Sequence, residues 1–545
     1  MNHNFFRHNL VLLLVFFAGF GPVATQAQFK KVFEPDSVIL NSPSFFSAVK
    51  VVETDIPGKE LMVAGTLTTQ DSGGIYRLAA YQLLMDLHGV PKAMHIFEDT
   101  SAFVFQGPKV YGACYGGNGT FYLVMGTNSN QVVMKTDTSG QMLWARKTHH
   151  HEFYSAICEG NTVVSFGQDE SFQGAHDFQL QRLNGDGSFD KGKMFGTMGF
   201  ENPVKVENIG GSYLMVGSSF QTSTFDLMTV KADANLDQIW GHSYIVPGKS
   251  TLGYGIVEPL NGNGYMVSGT MRGGVDSLFL LHLDANGNPG WSKTYSIAGA
   301  TETANYSLAV DPETGGYLLA GSYRTTGYLR PFIFMTDSLG NVQWARDYGA
   351  PGVNSDEFIN DLSYCQADGY FYAVGDVVDV DSNQYIHKIL AVKIAADSGT
   401  VPCDSALLVT TSSTTFQIGD ITYEEPFQAN AHHPMGNLLP DVRMNVETRC
   451  TVIVIVGNEL GIPLTGFFEF PNPSMGALKL KAEVPMGGGI LRVQSLQGTI
   501  LMEHHLPEGL IEQGFDFPNL SNGLYLVSLQ GEGWRYPTKR WVVQR

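Results

Sequence analysis

One stretch of this chain, residues 315–349, reads GGYLLAGSYRTTGYLRPFIFMTDSLGNVQWARDYG, and most of the remaining sequence is a worn copy of it. Within it, 317–321 is a short apolar run ending on a small residue, 331–336 is a second, and 342–348 is a third that carries Trp344. Apolar runs of this length bounded by turn residues are strand-like. Asp337 can bond its own backbone and Gly340 is free to take positive φ, which together make a tight turn between strands. Another apolar segment precedes the small-residue run, as at 306–310 and 358–362, so the unit holds four strands.

The small-residue strand end recurs at Gly65, Gly126, Gly167, Gly217, Gly269, Gly321 and Gly375, seven copies at an interval of about 50 residues. Asp137, Gly140 and Trp144 repeat as Asp284, Gly287 and Trp291 and as Asp337, Gly340 and Trp344 with one spacing; Asp233 and Trp240 keep the spacing without the glycine. Asp86 with Gly89, and Asn184 with Gly187, lack the tryptophan, and near Gly399 the seventh copy has Cys403 in its place. Four strands repeated seven times, with no helical periodicity, require a β-propeller. Six and eight blades are the alternative counts, because the first and last copies are the most worn. Closing such a ring without an exposed edge needs a strand from one terminus to complete a blade begun at the other. Residues 38–40 or the stretch 414–446 are expected to supply it.

At 545 residues the chain exceeds one ordinary core, and its 12% aromatic and 16% charged residues fit a well-packed, turn-rich β protein. A net charge of -19 argues against binding nucleic acid or an anionic membrane. At the N-terminus, Arg7 and His8 precede an apolar run at 10–20, and small residues up to Ala27 suit cleavage there, so 1–27 reads as a secretory signal peptide. That run is too short to span a bilayer, as is 452–456, so no transmembrane segment is expected in the mature chain.

From Pro463 the repeat stops and alternating strands begin, with Leu524, Leu526 and Ser528 against Tyr525, Val527 and Leu529. Strands of this kind suit a small Ig-like antiparallel β-sandwich. The fold class expected is therefore all-β: a seven-bladed β-propeller at 28–450, a linker at 451–466 and a sandwich at 467–545.

Two resemblances follow from these residues. The repeat resembles the blades of bacterial secreted propellers, which supports the fold. Its tryptophan motif is similar to those of quinone dehydrogenase propellers and Asp-boxes, but the Asp-to-Gly interval differs from both, so no quinone and no sialidase activity is carried over. The C-terminal segment closely resembles the type A C-terminal sorting domain of the type IX secretion system of Bacteroidetes. Its landmarks are Pro471, Asn472, Pro473 and Gly476, then Gly498, then Gly523 and Tyr525, then the terminal strand with Lys539. The resemblance implies export as folded cargo, the secretion machinery as partner, and release or attachment at the cell surface. Arg540 and Trp541 add bulk where the family is often rich in lysine and valine.

Candidate chemistry is sparse. Residues repeated in every blade serve the repeat, so Asp137, Asp233, Asp284 and Asp337 are expected to close turns and the tryptophans to pack between blades. Asp376, Asp379, Asp381 and Asn383 resemble the start of a calcium loop, but Leu390 stands where a bidentate Glu belongs, and a solvated acidic loop is expected. Asp169, Glu170 and Asp177 make no better ligand set. His149, His150 and His151, with His432 and His433, read as exposed loop residues. Cys114, Cys158 and Cys365 are expected as buried thiols on the innermost strands, and Cys403 with Cys450 as a bridge at the closure. No hydrolase, zincin or phosphate-loop motif occurs, so no catalytic, cofactor or metal residues are assigned. The expected function is a binding or adhesion module for extracellular glycans or proteins; the alternative is a glycan-cleaving hydrolase or lyase on the same scaffold.

Overall fold

The computed structural model describes residues 28–35, 46–451 and 466–543, less the segments 71–75, 99–107, 128–129, 150–152, 171–175, 221–222, 326, 350–354, 382–383, 398–403, 422, 428–435, 440–443, 470–476, 487–488, 495–499, 507–509, 517–522 and 532–533. The described residues are all strand, turn and loop, and none forms a helix able to cross a membrane. The chain divides into two compact units, Met1–Ile453 and Val454–Arg545.

The first unit is a seven-bladed propeller. Blades 1 to 6 span 46–98, 109–149, 153–196, 200–245, 250–297 and 302–347, and blade 7 spans 355–394, each an antiparallel meander. The first strand of each blade is innermost; each touches the next around the ring, and Ser355–Cys365 of blade 7 touches Phe46–Glu53 of blade 1. The hydrophobic core is shared out among the seams. Leu278, Leu280 and Tyr295 of blade 5, for example, pack on Leu319, Phe332 and Phe334 of blade 6.

The small residue that marks the repeat is required by a bulge. Gly321 pairs with Asn305, and the register then skips Tyr306. A Cβ at Gly321 would lie 2.0 Å from the Ala304 carbonyl oxygen, so the bulged inner strand approaches a bare Cα. The same bulge recurs in all seven inner strands. In blade 2 the residue opposite it is Met125 rather than Gly126, one position from where the repeat places it.

The turn aspartates each take two backbone N–H groups: Asp337 Oδ1 accepts from Leu339 and Asn341 at 2.9 and 2.8 Å, and Asp137, Asp233 and Asp284 do likewise. At Asp137, Asp284 and Asp337 partial burial opposes the charge, yet these donors and a neighbouring side-chain donor hold the carboxyl below its ordinary range. Gly340 has φ +77°, and its missing Cβ would sit 2.8 Å from the Trp291 ring of the blade before. Each tryptophan thus lies on the next blade's turn: Trp144, Trp240 and Trp344 donate Nε1–H to the carbonyls of Gly185, Ala285 and Ala396 at 2.9, 3.1 and 2.8 Å.

The worn copies are compensated in pairs. Blade 3 carries Lys191 where its tryptophan would stand, and blade 4 fills the vacated place with buried Leu236 instead of a turn glycine, at φ 65°. Blade 1 covers Gly140 of blade 2 with His95.

Ring closure corrects two expectations. The outer strand of blade 7 is the N-terminal Phe29–Pro35, not 38–40 or 414–446. Residues 38–40 lie outside the described residues. Phe29 pairs with Lys393 as Trp144 pairs with Lys135, and its ring lies on Gly89 of blade 1. Phe29, not Cys403, therefore occupies the seventh tryptophan place. Lys30 on the closing strand is buried against Glu357 at 2.7 Å, with Tyr348 O at 2.5 Å, which fastens it across the blade.

The stretch beyond blade 7 runs back around the rim in reverse order and adds a fifth, antiparallel strand to six blades. Ser405–Ala406 joins blade 6, Val409–Ser412 blade 5, Gln417–Asp420 blade 4, Tyr423–Phe427 blade 3, Gly436–Leu439 blade 1 and Met444–Thr451 the closing strand of blade 7. This belt caps edges that would otherwise offer unpaired N–H and C=O groups.

The second unit holds two antiparallel sheets. One contains Gly466–Glu469, Ala477–Met486 and Leu510–Asp516, the other Ile500–Leu506, Gly489–Gln494, Gly523–Gly531 and Trp534–Val543. Leu491, Val493, Tyr525 and Val527 are buried.

Candidate functional site

The residue inserted at each bulge is partly buried on the strand that lines the axis. These seven are Val49, Tyr111, Tyr154, Val204, Tyr254, Tyr306 and Asn360. Four are tyrosines, in two contacting pairs: Tyr111 and Tyr154 with ring centroids 5.3 Å apart, Tyr254 and Tyr306 at 5.7 Å. Burial and the adjacent Tyr306 push the Tyr254 phenol above its ordinary range, and Arg272 pulls against them. The collar was legible only as a faint signal, a tyrosine followed by Gly or Ser in four first strands: Tyr111-Gly112, Tyr154-Ser155, Tyr254-Gly255 and Tyr306-Ser307.

One residue further along, the channel is crossed by charges. Asp361 accepts from Lys50 Nζ and Val51 N, both at 3.1 Å, and from Ser307 Oγ at 3.3 Å, tying blade 7 to blades 1 and 6. Burial works against the Lys205 ammonium of blade 4, but Glu207, 3.0 Å away, and Asp361 across the axis hold it above its ordinary range.

On the face carrying the loops between second and third strands, a cavity of about 330 Å³ opens between blades 5 and 6. Arg272, Asp276, Glu302, Thr303, Tyr306 and Leu329 line it. Thr303 is buried and its Oγ1 has no hydrogen-bond partner among the described residues. Arg324 bridges Glu302 at 3.2 Å and Asp356 at 3.8 Å at the rim. The exposed aromatics among the described residues, Phe200, Phe220 and Tyr328, sit at strand ends on this same face.

The remaining sequence candidates are dispersed. Asp376 and Asp379 lie on one strand, Tyr370–Asp381, not in a solvated loop, and their odd spacing sends them to opposite faces. Asp376 is 5% exposed and accepts Ser47 Oγ at 2.8 Å, Ala48 N at 2.7 Å and Asn360 Nδ2 at 3.2 Å. Burial outweighs these donors and lifts its carboxyl to about 7. Asp379 pairs with Lys388 at 3.1 Å. Cys114 and Cys158 are not thiols: they form a disulfide between the inner strands of blades 2 and 3, with Cα atoms 5.6 Å apart. Adjacent inner strands come within bridging distance there. Cys365 is a buried thiol, pushed up to about 12 by burial and nearby Asp368 and Glu53. The side chains of His149 and Asp381, residues His150, His151, Asn383, His432 and His433, and the Cys403–Cys450 bridge lie outside the described residues. No group of three or more His, Cys, Asp or Glu placed for a metal occurs among the described residues.

Of the sorting landmarks, Pro471, Asn472, Pro473, Gly476 and Gly498 lie outside the described residues. Gly523 and Tyr525 fall on Gly523–Gly531, whose Val527 pairs with Lys539.

Comparison with curated proteins finds no match. Among solved structures the chain is similar to a subtype N11 neuraminidase-like protein of A/flat-faced bat/Peru/033/2010 at 12% identity and TM-score 0.34, covering 69% of this chain and 96% of that one. It is similar to a putative 6-phosphogluconolactonase from Bacteroides uniformis at 10% identity and TM-score 0.36, covering 71% and 99%. Residues 469–544 match the family of secretion system C-terminal sorting domains. The chain is thus a seven-bladed β-propeller that carries, at its C-terminus, the sorting domain by which Bacteroidetes export proteins through the type IX secretion system to the cell surface or beyond.

Proposed function

We propose that this protein is an extracellular binding module that takes a glycan chain at the channel mouth, after passing the inner membrane by the signal peptide at 1–27. The observation that carries this reading is the tyrosine collar, four partly buried rings on the axis-lining strands with the charged Lys50, Asp361 and Lys205 one residue further along. Aromatic faces stack on the apolar faces of sugar rings, and the charged rim with the Thr303 hydroxyl supplies hydrogen bonds.

A hydrolytic reading has one observation in its favour, the carboxyl of Asp376 held near 7 beside the collar residue Asn360. Its three donors and near-complete burial make it a brace between blades 7 and 1 rather than an acid facing substrate.

The test is a glycan and peptide array probed with the secreted chain, wild type against Tyr254→Ala/Tyr306→Ala. Glycan binding weakened about tenfold or more in the double variant, at unchanged melting temperature, is expected. Equal binding by both proteins, or binding of peptides alone, overturns the glycan-mouth reading. Turnover of an array glycan that Asp376→Asn abolishes would put the enzyme first.

A further inference from the structure

The seam between blades 2 and 3 departs from every other. The face that blade 4 turns to its predecessor carries Met215, Met228 and Val230; blade 5 offers Val267, Phe279 and Leu281, and blade 6 Leu319, Phe332 and Phe334. On blade 3 the foot of that face is also apolar, since Val163 and Leu183 pack on Tyr122, Val124 and Val133 of blade 2. Side chains two residues apart on a strand share a face, so the row continues upward as Ser165 and Asp169 on one strand and Gln181, Gln179 and Asp177 on the next. Ser165 stands opposite Gln181 and Asp169 opposite Asp177.

None of these five side chains is more than 4% exposed. Ser165 Oγ, Gln179 Oε1 and both amide atoms of Gln181 have no hydrogen-bond partner among the described residues. A buried amide so placed is costly unless something polar occupies the seam with it. Gln179 Nε2 lies 3.5 Å from Asp169 Oδ2, so this amide reaches the carboxylate end of the row. One oxygen of Asp177 lies over Gly196 of the following strand, where a Cβ would fall 1.9 Å from Oδ1 and displace the carboxylate. The disulfide Cys114–Cys158 fixes the separation of the same two blades.

We propose that this seam holds a hard divalent cation of calcium type. Asp169, Asp177 and Gln179 Oε1 are its protein ligands, and water bonded to Ser165 and Gln181 completes the shell. Two carboxylates facing each other across adjacent strands, with neutral amide oxygen and no sulfur or imidazole in the set, match calcium rather than zinc. The site lies in the wall of the ring and is independent of the channel mouth.

The experiment uses the full secreted chain stripped with chelator, then titrated with CaCl2 by calorimetry, with melting followed in parallel. One cation per chain and a rise in melting temperature are expected. Gln179→Met, which copies Met228 of blade 4, should fold and weaken calcium binding about tenfold or more, and Asp177→Asn should do the same. Asp284→Asn, in an exposed turn, should bind as wild type. A wild-type chain with no stoichiometric calcium binding, or a Gln179→Met chain that binds as tightly as wild type, overturns the proposal.

Discussion

The seam between blades 5 and 6 and the seam between blades 2 and 3 start alike and finish differently. At the foot of each, a tryptophan lies on the next blade's turn, Trp291 on Gly340 and Trp144 on Gly187. Above it, the first is filled by Leu280, Leu319 and Phe334, whereas the second turns polar and is closed by a disulfide. Repeated residues hold the ring together; the informative positions are those where one blade abandons the pattern that its neighbours keep.

Four sets of substitutions probe how the ring holds together, seam by seam. Gly321→Ala has the largest expected effect: its Cβ would meet a backbone oxygen at 2.0 Å, so a loss of about 4 kcal/mol or more is expected in urea unfolding. Gly126→Ala, facing only the Tyr111 ring, should cost much less, and equal losses would break the assignment of the bulge to Met125 in blade 2.

Next comes the disulfide. Replacing Cys114 and Cys158 with Ser opens a link of sequence separation 44, and a loss of about 3 kcal/mol is expected. Melting with and without reductant checks it, since a ring indifferent to reductant would mean that the polar seam coheres unaided.

The exchange between blades 3 and 4 is smaller. Leu236→Gly empties a buried site while relieving a positive φ, for a net cost of about 2 kcal/mol. Adding Lys191→Trp should restore much of it, as the motif elsewhere pairs Trp with Gly. Strict additivity in the double-mutant cycle would show that the two positions do not compensate.

Asp376→Asn is the gentlest. Below 3.8 the carboxyl is protonated in both folded and unfolded chains; between 3.8 and about 7 the unfolded chain ionises first, so folding loses stability as pH rises, and above 7 the loss is complete. The variant should therefore gain on wild type between pH 4 and 8, and parallel melting curves across that range would remove the buried carboxyl from the account of the seam between blades 7 and 1.

Blade count, turn chemistry and the sorting domain were legible because each rests on local spacing. An Asp-to-Gly turn and a strand glycine are demanded by backbone geometry within a few residues, and seven repetitions make them visible. The solvated-loop expectation for Asp376 and Asp379 misses for a physical reason: the D-x-D-x-N spacing and acidity suggest a loop, while flanking Val374, Val377 and Val378 keep the stretch in a strand. The collar escaped because no single tyrosine differs from a core tyrosine until the bulges align all of them on one axis.

By itself the sequence determined that this is an all-strand ring with a C-terminal export domain, since repeat length and alternation leave few other ways to bury these residues. Only the tertiary structure decided that Phe29–Pro35 closes the ring, that six short strands between Ser405 and Thr451 add to the blades in reverse order, and that Cys114 meets Cys158. Those pairings join residues far apart in the chain, and their partners are fixed by the curvature of the closed disc, which no local pattern encodes.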